Sequence, residues 1–102
     1  MYVDLYVINS RLPFSLEPEM HLKLYSTAVE LHERGQKSRK VHGEGFEGRV
    51  TSKNRSASLG GMSGDLFEAE IDTERGSGRV TFIVRHIARL SCTAANSNAQ
   101  WN

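Results

Sequence analysis

Few side chains in this 102-residue chain are capable of chemistry, and they are scattered. Histidines stand at 21, 32, 42 and 86, and the single cysteine is Cys92. His21 and His32 fall in the one helical stretch, eleven positions apart. That separation is about 16 Å at ~1.5 Å per residue, too far for one metal ion. A helical zinc pair needs a spacing near i, i+4. Both therefore read as boundary histidines, half in the core and half in water. One cysteine excludes an internal disulfide and any Cys-based metal set, and it fits a reducing compartment. A catalytic thiol needs a lowered pKa and a neighbouring base, so Cys92 reads as a structural, half-buried thiol.

Two further arrangements invite a catalytic or cofactor reading. Arg85 and His86, with His42 and Glu44, would supply the acid–base pair and phosphate cation of a metal-free ribonuclease. Adjacent residues of a strand point to opposite faces, so Arg85 and His86 diverge, and a small RNase-type toxin is a distant third reading. Gly43 to Val50 spells G-x-G-x-x-G-x-V. A dinucleotide site needs that run between a strand and a helix, with the pyrophosphate on the helix N-terminus. Here strand and loop follow, and Glu44 and Glu47 would repel phosphate. No cofactor, no metal and no enzymatic activity are expected.

The basic segment offers more. Arg34 to Arg55 carries seven Lys or Arg against two Glu, a net of +5, in a chain whose formal net charge is only +1. Lys37, Arg39, Lys40, Arg49, Lys53 and Arg55, with Phe46 as the one interleaved ring, are the candidate binding residues. An acidic protein surface is the preferred partner, because complementary charge speeds encounter and fixes register. The alternative is a nucleic-acid-binding module using residues 37–55, with salt-dependent phosphate contacts. A single ring is thin for a single-strand platform, which stacks successive bases.

These residues must be held by a small set of elements. Ser15 to Gly35 has a clear helical period, with Ser15 as expected N-cap, Pro18 in the first turn and Gly35 at the C′ position. Leu16, Met20, Leu24, Ala28 and Leu31 form one apolar stripe at steps of three and four. Leu22, Tyr25 and Val29 form a second stripe, a second candidate surface that would serve a partner or a homodimer.

Everything else periodic reads as strand. Tyr2–Ile8 alternates Val3, Leu5 and Val7 against Tyr2, Asp4 and Tyr6. Val41–Thr51 is a glycine-weakened strand with His42, Phe46 and Val50 at even spacing. Ser52–Gly64 is a polar, mobile loop. Asp65–Asp72 is a strand with Phe67, Ala69 and Ile71 on one face. Thr73–Gly78 is a turn, and Arg79–Leu90 is the strongest strand, with Val80, Phe82 and Val84 on one face. Residues 56–78 sum to −4 and lie between two basic segments in sequence. A meander would set the acidic strand between basic neighbours, where opposite cross-strand charges stabilise each other.

The expectation is an α+β protein, a single helix packed on one face of a mostly antiparallel four-stranded sheet in the order β-α-β-β-β. The first and last strands would lie side by side in the centre, running parallel. Residues 1–92 form one compact domain and 93–102 a polar C-terminal tail with Trp101. A hydrophobic content of 38% and a charged content of 25% fit a soluble, cytoplasmic protein. The apolar start lacks a basic n-region, so it is not a signal peptide, and no apolar run is long enough to span a membrane. The function that fits is a small non-enzymatic inhibitor or adaptor, of the accessory or anti-defence kind carried by phages and other mobile elements.

Overall fold

The computed structural model describes residues 4–85. In chain order these form β1 (Leu5–Arg11), α1 (Pro18–Glu33), β2 (Ser38–Gly43), β3 (Phe46–Leu59), β4 (Met62–Thr73) and β5 (Gly76–Val84). The strands make one sheet in the order β1-β5-β4-β3-β2, with every pairing antiparallel. The single helix lies on one face. The α+β class and the lone helix are as the sequence predicts; the sheet has five strands rather than four.

The helix begins at Pro18, whose missing N–H costs nothing at the first position. A residue before proline is pushed out of the helical region. Glu17 accordingly is extended (φ −85°, ψ 156°) and becomes the N-cap, without a side-chain cap, in place of the expected Ser15. At the other end, the Gly35 N–H donates to the His32 carbonyl at 3.1 Å and the Gln36 N–H donates to the Leu31 carbonyl at 3.0 Å. That bond pair is a Schellman motif, with Gly35 at C′ as expected. Met20, Leu24, Ala28 and Leu31 are buried and Leu16 packs beside them, so the predicted first stripe faces the sheet.

The fifth strand comes from the segment read as one strand, Val41–Thr51. A two-residue turn, Glu44-Gly45, folds it into the β2–β3 hairpin. Gly45 has φ +82° while Glu44 keeps the ordinary sign, the pattern of a type II turn, whose second central position favours glycine. At the next hairpin Gly60 (φ +57°) and Gly61 (φ +80°) are both positive, which is the primed type I′ turn that favours Gly-Gly. Ser52–Gly64 is therefore no loop: it continues β3 and β4 through the pairs Ala57↔Gly64, Ser58↔Ser63 and Leu59↔Met62. The register shifts between Ser52 and Asn54 and again between Asn54 and Ala57, and Ser56 takes a left-handed φ of 59° within this irregular stretch.

Each hairpin reverses chain direction, so the additional strand reverses every strand after it. β5 runs antiparallel to β1, not parallel as expected. The two are neighbours, as predicted, but β1 lies at the sheet edge and not in the centre. A bulge between Val7 and Asn9 leaves Val7 and Ile8 exposed. The last turn is tighter than Thr73–Gly78: the Thr73 hydroxyl donates to the Gly76 carbonyl at 2.8 Å and accepts the Arg75 N–H at 3.0 Å. Val3, the predicted strand residues beyond Arg85, Cys92 and the tail with Trp101 lie outside the described residues.

The core fills the space between helix and sheet. Val41, Phe46, Val50, Phe67, Ala69, Ile71, Val80, Phe82 and Val84 all belong to it. The Phe67 and Phe82 rings stack with centroids 5.6 Å apart. Ile83, also fully buried, lies on the opposite face of the sheet, in register with Tyr6 and Leu66. There the Arg85 guanidinium sits over the Tyr6 ring at 5.6 Å, closing that end of the outer face.

Candidate functional site

Strand alternation divides the basic segment instead of gathering it. Arg39 turns to the helix side, where its Nη2 is 2.7 Å from Glu30 Oε2 and its Nη1 donates to Gln36 Oε1 at 3.1 Å. Lys40 turns to the outer face, directly opposite Arg49. Arg49 Nη1 donates to Ser38 Oγ at 3.0 Å. Lys53 Nζ lies 3.8 Å from Glu68 Oε1. Lys37 is exposed ahead of β2, and Arg55 is exposed far along β3. Phe46 is only 7% exposed and belongs to the core, so it offers no stacking face and leaves the site.

The outer face of the sheet carries a charge array that no single segment reveals. Following the register across all five strands, one row reads Lys40, Arg49, Glu70, Arg79 and Arg11. Glu70 Oε1 accepts from Arg79 Nη2 at 3.1 Å, which commits the one carboxylate of the row to the β5 side. Arg79 Nε also lies 3.8 Å from Glu68 Oε1. The flanking rows are His42, Glu47, Asp72 and Ser77, and Ser38, Thr51, Glu68, Thr81 and Asn9. The acidic column of β4 thus stands between basic neighbours, as the charge segregation predicts. Lys40 and Arg49 are a like-charged cross-strand pair, which destabilises the folded state. Arg11, Glu70 and Arg79 escaped the sequence reading of the site because they come from segments far apart in the chain.

The second apolar stripe is less free than it reads. Tyr25 and Val29 are partly buried against the core, and Leu22 is half-buried. Burial, and then the negative charge of Asp4, push the Tyr25 phenol above its ordinary value of 10.0. A homodimer built on this stripe would have only part of each side chain to bury.

The catalytic and cofactor arrangements do not assemble. His42 shares a row with Ser77, whereas Arg85 lies past Val84 at the other end of β5. Eight residues of strand separate those positions, about 26 Å at ~3.3 Å each. His86 is outside the described residues. The G-x-G-x-x-G run is a hairpin turn, not a strand-to-helix turn. His32 is committed to Asp65, with Nδ1 3.1 Å from Oδ2. Among the described residues no group of three or more His, Cys, Asp or Glu is placed to hold a metal, and no helix is long and apolar enough to cross a membrane.

Lys40 and Arg49, beside the β2 edge that has no neighbouring strand among the described residues, form the candidate surface. Compared with family models, with curated proteins and with solved structures, the chain matches none of them.

Proposed function

We propose that this chain is a small, non-enzymatic protein-binding module, an inhibitor or adaptor, that engages an acidic patch of its partner through the β2–β3 hairpin. One observation carries the reading. Lys40 and Arg49 face each other across the edge pair of strands, and no carboxylate pairs with either among the described residues. Like charges so placed cost folding energy, and a partner's negative charge offsets that cost. Arg49 also stands opposite Glu70, but that carboxylate is bonded to Arg79, and the cross-strand partner of Lys40 is Arg49 itself.

The same face argues against a nucleic acid. Glu47, Glu68, Glu70 and Asp72 stand on it as near neighbours of the four cations Lys40, Arg49, Arg79 and Arg11. A phosphate backbone laid along the basic row would meet those carboxylates on both sides. A protein surface can confine its acidic patch to Lys40 and Arg49 and set neutral or basic groups against those carboxylates, which a uniformly charged phosphate backbone cannot do.

Affinity capture on the immobilised protein from a native lysate, with and without nuclease treatment, tests the reading. A protein captured despite nuclease, and lost when Lys40 and Arg49 are both changed to Glu, is the expected result. Capture that depends on intact nucleic acid, or that survives the double reversal unchanged, overturns it.

A further inference from the structure

The outer edge of β2 has no described strand beside it: among the described residues β2 is the last strand of the sheet. The register tells which backbone groups face outward. The Ser52 N–H donates to the Lys37 carbonyl at 2.8 Å, immediately beyond the Ser38↔Thr51 pair. Hydrogen-bonded and non-hydrogen-bonded pairs alternate along an antiparallel ladder. Arg39, Val41 and Gly43 therefore turn their N–H and C=O groups to β3, and Ser38, Lys40 and His42 turn theirs to the outer edge.

The two sheet edges are not equivalent. β1 is broken by its bulge between Val7 and Asn9, a device that spoils an edge for strand pairing. β2 pairs with β3 over six consecutive residues with no irregularity. Its surroundings are basic: Lys37 and Lys40 on the strand and its approach, and Arg49 one strand in. Arg39 already shares Glu30.

We propose that β2 accepts an extended, acidic segment of a partner protein as a sixth strand. The inference rests on the protein-binding reading above and deepens it by naming how the partner is held. Backbone hydrogen bonds from Ser38, Lys40 and His42 supply the affinity of such an added strand, and its alternate acidic side chains meet Lys40 and Arg49 on the outer face. A second copy of this chain is a poor occupant. Two β2 strands paired about a two-fold axis bring Arg39, Lys40 and their copies together, like charge against like.

The test uses a blocked heptapeptide of alternating glutamate and threonine as probe, titrated into the full-length protein and followed through backbone amide shifts. The expected result is a saturable perturbation centred on Ser38, Lys40 and His42. The same peptide N-methylated on alternate residues, so that one edge lacks donors, should bind about tenfold weaker or not at all, since it cannot make the backbone bonds that hold an added strand. His42→Pro should weaken the unmodified peptide similarly, because its missing N–H is one that faces outward, while His42→Ala should bind as the parent does. The N-methylated probe keeps the test decisive even if the proline variant fails to fold. No perturbation at these amides, or equal binding of the N-methylated peptide, overturns the proposal. Binding that is indifferent to N-methylation but lost on Lys40→Glu with Arg49→Glu overturns the added strand and leaves the basic surface standing. A concentration-dependent dimer that His42→Pro abolishes assigns the edge to a second copy and overturns the partner.

Discussion

His32 and Asp65 tie the end of the helix to the base of the long hairpin. His32 Nδ1 lies 3.1 Å from Asp65 Oδ2, and Oδ1 of the same carboxylate accepts the Ser56 N–H at 3.1 Å. Both side chains are largely shielded, at 19% and 13% exposure. Ser56 is the one described non-glycine residue with positive φ, and it sits where the β3–β4 register slips. The carboxylate thus holds a strained residue in place and links it to the last turn of α1.

Two substitutions separate those effects. Asp65→Ala removes the carboxylate from both partners and should destabilise by about 0.5–1.5 kcal/mol per lost hydrogen bond, since water can replace it at the exposed Ser56 amide. Hydrogen exchange at the Ser56 amide should accelerate more than at the β4–β5 amides. Ser56→Gly relieves the left-handed strain of about 1–2 kcal/mol but adds chain entropy to the unfolded state, so it should be neutral or mildly stabilising. Denaturant titration of both variants checks the pair. A strongly destabilised Ser56→Gly would show that the serine side chain, not its backbone, matters there.

The core prediction concerns Leu24, which is fully buried at the centre of the first stripe. Leu24→Ala should cost about 2–5 kcal/mol, the transfer and cavity terms of a buried leucine. Lys23→Ala, exposed one position earlier, should move the denaturation midpoint hardly at all.

That stripe was legible because a helix repeats every 3.6 residues and Leu16, Met20, Leu24, Ala28 and Leu31 keep step with it. The hairpins were less legible. Val41 is buried at an odd position, and after the Glu44-Gly45 turn Phe46 and Val50 are buried at even ones. A two-residue turn flips that parity, and the flip was the signal that one strand was two. The reading that aligned His42 with Phe46 and Val50 missed it, and His42 lies on the other face. Gly60-Gly61 is likewise a hairpin signature hidden among polar residues that resemble a loop. The candidate surface was half legible. Charge marks the basic segment and strand alternation sends Arg39 and Lys40 to opposite faces, but only the register brings Arg79 and Arg11 into the row.

Tyr25 gives a prediction in pH. Its phenol is held above its ordinary value of 10.0, first by burial and then by Asp4. The unfolded chain ionises this group first as pH rises, so unfolding gains from alkali. The stability that Tyr25 contributes is fully present below pH 10 and is lost as pH climbs through the raised folded value. Urea midpoints at pH 9 and pH 11 should therefore fall further in the parent than in Tyr25→Phe. Asp4→Asn should reduce the difference by removing the lesser cause. Equal falls in parent and Tyr25→Phe would mean that other groups account for the alkaline loss.

The charge row across the outer face yields the last test. Glu70 is the only carboxylate among Lys40, Arg49, Arg79 and Arg11, and it is bound to Arg79 at 3.1 Å. Both side chains are more than half exposed, so the pair itself is screened and contributes little. Its sign matters more than its bond. Glu70→Lys makes the row five cations, with like charges opposite one another at every step across the sheet. Each such contact costs roughly 0.2–1 kcal/mol. The melting temperature of Glu70→Lys should fall at low salt and recover most of the loss at 1 M salt, where the screening length shrinks to about 3 Å. Glu70→Gln, which removes the negative charge without adding a positive one, should fall between the parent and Glu70→Lys. If salt restores neither variant, Glu70 acts through packing or β-propensity and not through charge. The repulsion between Lys40 and Arg49, which motivates the binding surface, would then be too weak to need a partner.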